Sequence, residues 1–159
     1  MPDEVDDVMA AWARERPDLD VTPLAVLSRI SRLARSLDRQ RRQIFAAHGL
    51  EAFEFDVLAV LRRSGLPYAL SPGDLVRQTM VSSGAMTNRI DRLATRRLVR
   101  RTPDPEDGRA ALVRLQRSGR LRVDAALGDL LDHERAVLGV LRGPEQDRLA
   151  TLLRRLSEP

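Results

Sequence analysis

The chain contains neither cysteine nor lysine. Without cysteine there is no disulfide framework, no cysteine-ligated zinc finger and no thiol redox chemistry. Aromatic residues make up only 3% of the sequence and β-branched runs are few, so helix should dominate. No stretch approaches the roughly 20 apolar residues of a membrane span. The opening MPDEVDDVM is acidic and lacks the basic-then-apolar order of a secretory signal, so a cytoplasmic location with no membrane partner is expected. Catalytic signatures are missing too: there is no phosphate-binding glycine loop and no nucleophile–base motif. His48 and His133 are the only histidines, and the run Asp132-His133-Glu134 points three ways on a helix, which does not suit a single metal ion. An enzyme, a metal site and a resident cofactor are therefore not expected.

What is present is a chain of 159 residues, 43% hydrophobic and 31% charged, enough for one globular domain with an interaction extension. All 27 basic residues are arginines, and the net charge of +4 is unevenly placed. Residues 1–20 hold seven acids, whereas residues 85–101 hold six arginines and one acid, Asp91. That asymmetry points to a local anionic partner.

Three regions follow from the punctuation. Residues 1–50 predict a short helix over 3–15, acidic in its first turn, and a longer one over 22–47 with Thr22 as N-cap and Pro23 at N1. The apolar rhythm Leu27, Ile30, Ala34, Leu37 and Ile44 forms a seam suited to another helix. Residues 51–116 predict a helix over 51–64, then a capped short helix from Ser71 to Gln78, a turn, and a second helix from Ser82 or Ser83 to Arg97. LVRRTP and AALVRL then read as a hairpin around PDPEDGR. Residues 117–159 predict two leucine-rich helices, 117–141 and 144–157. The expected fold is mainly α with a small β-hairpin wing: a winged helix-turn-helix between N- and C-terminal dimerisation helices.

On the second helix of the motif, Met86, Ile90 and Leu93 share one face, which must pack inward. The other faces carry Ser82, Ser83, Ala85, Thr87, Asn88, Arg92 and Thr95, available to a major groove, where Asn can pair with adenine. Arg96, Arg97, Arg100 and Arg101 are placed to reach phosphates, and Arg109 at the wing tip to reach a minor groove. A run of arginines alone would describe a solvated helix face. Its coincidence with a helix-turn-helix and a wing favours double-stranded DNA. A winged helix that turns its basic face to an acidic protein is the alternative.

Over essentially its whole length the sequence resembles the MarR family of winged helix-turn-helix regulators. The wing segment PEDGRAALVRLQRSGR carries the most specific part, with Asp107, Arg109 and Gly119 at the family's positions and Leu115-Gln116 where Leu-Thr is usual. The resemblance implies a homodimer on a palindromic operator. Trp12, Asp56, Arg63 and Arg89, with the additional N-terminal helix, resemble the signature of the urate-responsive, PecS-like subgroup. That resemblance implies a pocket in which Arg63 and Arg89 hold urate or a related small anion, Trp12 flanks it and Asp56 adjusts its charge and hydrogen bonding. Small carboxylates such as trans-aconitate or citrate would suit two arginines as well. Arg89 itself sits beside the inward face of its helix, better placed to meet another element than a base edge.

Overall fold

The structure is a computed structural model that describes residues 1–105 and 110–158. The chain divides into two compact units, Met1–Gln43 and Ile44–Pro159.

In the first unit, helix α1 (Glu4–Glu15) starts at Asp3, whose carboxylate accepts from the backbone N–H of Val5 at 2.8 Å and of Asp6 at 3.2 Å. The Asp6 carboxylate accepts in return from the Asp3 N–H at 2.7 Å, which completes a capping box. Arg29, on helix α2 (Leu24–Ala47), reaches across to both acids at 2.8–2.9 Å. That guanidinium, with the backbone donors, holds the Asp3 carboxyl down to about 2. Val5 is buried in α1, while Val26, Leu27 and Leu33 of α2 stay exposed. The expected start at Thr22 is instead a turn, with Asp20 accepting from the Thr22 N–H at 3.0 Å before the helix begins.

The second unit runs α3 (Ala52–Arg63), β1 (Ala69–Leu70), α4 (Pro72–Thr79), α5 (Ser83–Thr95), β2 (Val99–Pro103), β3 (Ala111–Leu115), α6 (Arg117–Leu138) and α7 (Gly143–Ser157). The strands form an antiparallel sheet in the order β1-β3-β2, with Arg101 opposite Val113 in the hairpin. This is the mainly helical, winged fold expected, with one addition. Strand β1 gives the wing a third strand by pairing Ala69 with Arg114 and Leu70 with Val113.

Leu58, Leu61, Leu75, Met86, Ile90 and Leu93 are fully buried and bind α3, α4 and α5 into one core, into which α6 sends Val123 and Ala126. Helix α5 ends at Thr95, two residues short of the Arg97 expected. Arg97 takes a left-handed conformation at φ +57°, and the Leu98 N–H bonds to the Leu93 carbonyl at 3.0 Å. Leu98 is thereby turned into the core, 1% exposed, and the chain leaves in strand direction. Helix α6 starts hard against this junction: a Cβ on Gly119 would lie 2.3 Å from the Leu98 carbonyl oxygen. Leu127, Leu131 and Leu138 of α6 and Leu149, Leu152, Leu153 and Leu156 of α7 are exposed. Among the described residues, no helix is long and apolar enough to cross a membrane.

Candidate nucleic-acid interface and effector site

Both helices of the helix-turn-helix are set by local hydrogen bonds. Ser71 caps α4, its hydroxyl accepting from the Asp74 N–H at 3.1 Å and donating to the Asp74 carboxylate at 2.6 Å. That hydroxyl, with Arg77 nearby, lowers the Asp74 carboxyl below its ordinary range. Met80, left-handed at φ +53°, turns the chain after α4. Ser82 then caps α5 by accepting from the Ala85 N–H at 3.3 Å, which settles the choice between the two candidate serines.

Met86, Ile90 and Leu93 are buried, as their spacing requires, and the remaining faces of α5 look outward. Ser82, Ser83, Thr87, Asn88 and Thr95 are exposed and Ala85 is half-buried. The Thr87 hydroxyl donates to the Ser83 carbonyl at 3.1 Å and the Thr95 hydroxyl to the Asp91 carbonyl at 2.9 Å. The Asn88 amide has no hydrogen-bond partner among the described residues, so its donor and acceptor are open to a base edge.

The six arginines of 86–101 take three different settings. Arg96 pairs with Glu54 in the first turn of α3 and donates to the Gly49 carbonyl at 2.6 Å. Glu54 is wholly buried and also accepts from the Glu51 N–H at 2.9 Å. Arg92 pairs with Glu51, and its guanidinium carbon stands 4.7 Å from the centroid of the Phe53 ring. Arg89, half-buried, stands over the same ring at 5.4 Å. Arg101 pairs with Asp91 at 2.7 Å, which ties strand β2 to α5 and offsets the single acid of the basic run. Arg97 and Arg100 are exposed with no ion-pair partner among the described residues. Asp107 and Arg109, expected in the wing turn, lie outside the described residues.

The four residues expected around a ligand are placed as follows. Trp12 lies on α1 in the first unit and is half exposed, at 49%. In the second unit, Asp56 and Arg63 are both exposed on α3, about 20° apart around its axis by helical spacing. The Arg63 guanidinium donates to the Gln78 side-chain carbonyl of α4 at 3.3 Å. Arg89 meets α3 from the side of α5, at Phe53. Glu51, Phe53, Glu54 and Gln78 were not anticipated from the sequence. The Glu51-x-x-Glu54 spacing does mark a helix start, but nothing in it announces a buried carboxylate. Among the described residues, no cluster of side chains could hold a metal ion.

The MarR family profile matches residues 48–110, from the α2–α3 junction into the wing. The HTH-type transcriptional regulator PecS of Dickeya dadantii is 36% identical over 155 residues, spanning 98% of this chain and 93% of that protein. Among solved structures, Sco5413, a MarR family transcriptional regulator from Streptomyces coelicolor, superposes with a TM-score of 0.70 at 26% identity, over 86% of this chain and 94% of that one. BpsR of Bordetella bronchiseptica, whose DNA binding is regulated by 6-hydroxynicotinic acid, gives 0.63 at 29% identity, over 82% and 94%.

Proposed function

The chain belongs to the MarR family of winged helix-turn-helix transcriptional regulators, and on that premise we propose that it is a ligand-released repressor. As a cytoplasmic homodimer it binds a palindromic operator, inserting α5 in the major groove, and a small planar anion displaces it. Ser82, Ser83, Ala85, Thr87 and Asn88 read the groove, Arg97 and Arg100 supply phosphate contacts, and Arg109, expected in the wing turn, enters a minor groove. The exposed leucines of α6 and α7 support a second copy as partner, because that much unpaired apolar surface calls for a cover.

The observation that carries the ligand reading is the setting of Arg89. It belongs to the DNA-reading helix, yet it faces α3, the helix that presents Asp56 and Arg63. An anion gripped by Arg63 and Arg89 acts on α5 without an intermediary, which links occupancy to DNA affinity. Urate or a related purine is favoured, with Asp56 as its charge partner. A carboxylate is the second reading, supported by the planar aromatic acid that regulates BpsR.

A gel shift on the DNA upstream of the protein's own gene tests this, run against excess unrelated DNA. The expected result is a complex that survives the competitor and dissolves on adding urate. If only trans-aconitate, citrate or an aromatic carboxylate dissolves it, the second reading holds. A complex lost to bulk DNA points to a protein partner for the basic face, and one indifferent to every anion refutes ligand release.

A further inference from the structure

Phe53 touches two arginines of the DNA-reading helix at once. Its ring, half-buried at the start of α3, has the guanidinium carbon of Arg92 at 4.7 Å and that of Arg89 at 5.4 Å. Both distances lie within the range at which a cation is held by the negative face of an aromatic ring. Arg92 is anchored a second time, by Glu51. Among the described residues, Arg89 has no ion pair or hydrogen bond beside this ring contact.

We propose that Phe53 is a positioning residue: its ring holds Arg89 in the DNA-competent setting of α5, and an anion that captures Arg89 must first take it from the ring. The proposal rests on the assignment of Arg89 to the effector and deepens it. Phe53 and Arg63 lie at opposite ends of α3, about 15 Å apart along its axis, so an anion shared with Arg63 draws Arg89 away from the ring and the two contacts compete. The ring therefore stabilises the operator-bound state selectively. Weakening it lowers operator affinity and lowers the effector concentration needed for release, because both readouts follow one equilibrium. Arg92 remains on Glu51 throughout, so α5 is re-aimed about an anchored point and not detached.

The test compares wild type, Phe53→Leu and Phe53→Tyr. Leucine keeps apolar volume and removes the ring; tyrosine restores a ring of the same kind. Operator affinity is measured by anisotropy, with and without urate, and the arginine side-chain resonances are recorded by NMR without DNA or ligand. In the wild type, the Arg89 and Arg92 side-chain protons are expected to be displaced upfield by the ring. Phe53→Leu should collapse that displacement, weaken operator binding about two- to fivefold, and lower the urate concentration for half release by a similar factor. Phe53→Tyr should restore all three. Undisplaced resonances in the wild type, unchanged operator affinity in Phe53→Leu, or a loss that Phe53→Tyr does not restore overturns the proposal. If wild type ignores urate, it is the urate assignment that fails. The resonances and the operator arm then still decide whether Phe53 sets the helix.

Discussion

The guanidinium of Arg96, the C-cap of α5, is paired with the carboxylate of Glu54, which is wholly buried in the first turn of α3. The same guanidinium donates to the Gly49 carbonyl at the α2–α3 junction at 2.6 Å. One end of α5 is thus fastened to the rest of its unit by an ion pair whose acid is buried. Removing the arginine is costly, because it leaves the buried carboxylate uncompensated. The pair's contribution lies in orientation as well as stability.

Arg96→Ala is accordingly expected to destabilise the fold by about 3 kcal/mol, since it strands the Glu54 carboxylate in the core. Glu54→Ala should cost less, because the arginine it releases can turn to water. Denaturant unfolding of the two variants checks the order. Equal stability of Arg96→Ala and wild type would show that the pair is not formed in solution.

Asp91 is the only acid among the arginines of the basic run, and Arg101 covers it at 2.7 Å. An exposed pair of this kind contributes at most about 1 kcal/mol to stability. Asp91→Asn should leave the melting temperature nearly unchanged and strengthen DNA binding about two- to threefold at low salt, because one repulsion toward phosphate is gone and Arg101 is released. The gain should fade as salt is raised. Anisotropy titrations at two ionic strengths would show it.

Gly119 admits no side chain, as its missing Cβ would sit 2.3 Å from the Leu98 carbonyl oxygen and 2.9 Å from a Leu115 methyl. Gly119→Ala must push α6 away from the α5–β2 junction, at a cost of about 3 kcal/mol. Thermal unfolding of this variant should fall well below wild type, with DNA affinity falling alongside because the wing is anchored at that junction.

Asp3 links α1 to Arg29, and its carboxyl titrates at about 2, below the ordinary 3.8. A depressed carboxyl stabilises the folded form above its unfolded value, and that stabilisation disappears as pH falls from about 3.8 through about 2. An NMR titration should find the Asp3 midpoint near 2 in the wild type and shifted up toward 3.8 in Arg29→Ala, short of it because the backbone donors remain. Matching midpoints would mean that the guanidinium does not hold the acid.

Much of this was readable from the chain alone. The Met86, Ile90 and Leu93 spacing gave the buried face of α5, and Ser82, Pro72 and Ser71 marked the helix starts, because periodicity and caps are local signals. Strand β1 is only Ala69–Leu70, too short to show any alternation, and it exists because β3 offers an edge. The settings of Arg92 and Arg96 were hidden for a different reason. Charge on a helix is visible in sequence, but the acids that answer it, Glu51 and Glu54, lie about forty positions earlier and come within reach only through the packing of α3 on α5. Apart from Arg89, the arginine run therefore read as one DNA-facing surface, and the structure divides it into braces and open cations.

That division is tested most directly by comparing Arg89→Ala with Arg97→Ala for operator affinity and for release by urate, in one anisotropy experiment. Arg97→Ala should bind the operator about tenfold more weakly at moderate salt, with a shallower salt slope and normal release. Arg89→Ala should stay within about fivefold of wild type in affinity and fail to release. A variant of Arg89 that loses the operator yet still responds to urate would contradict the account.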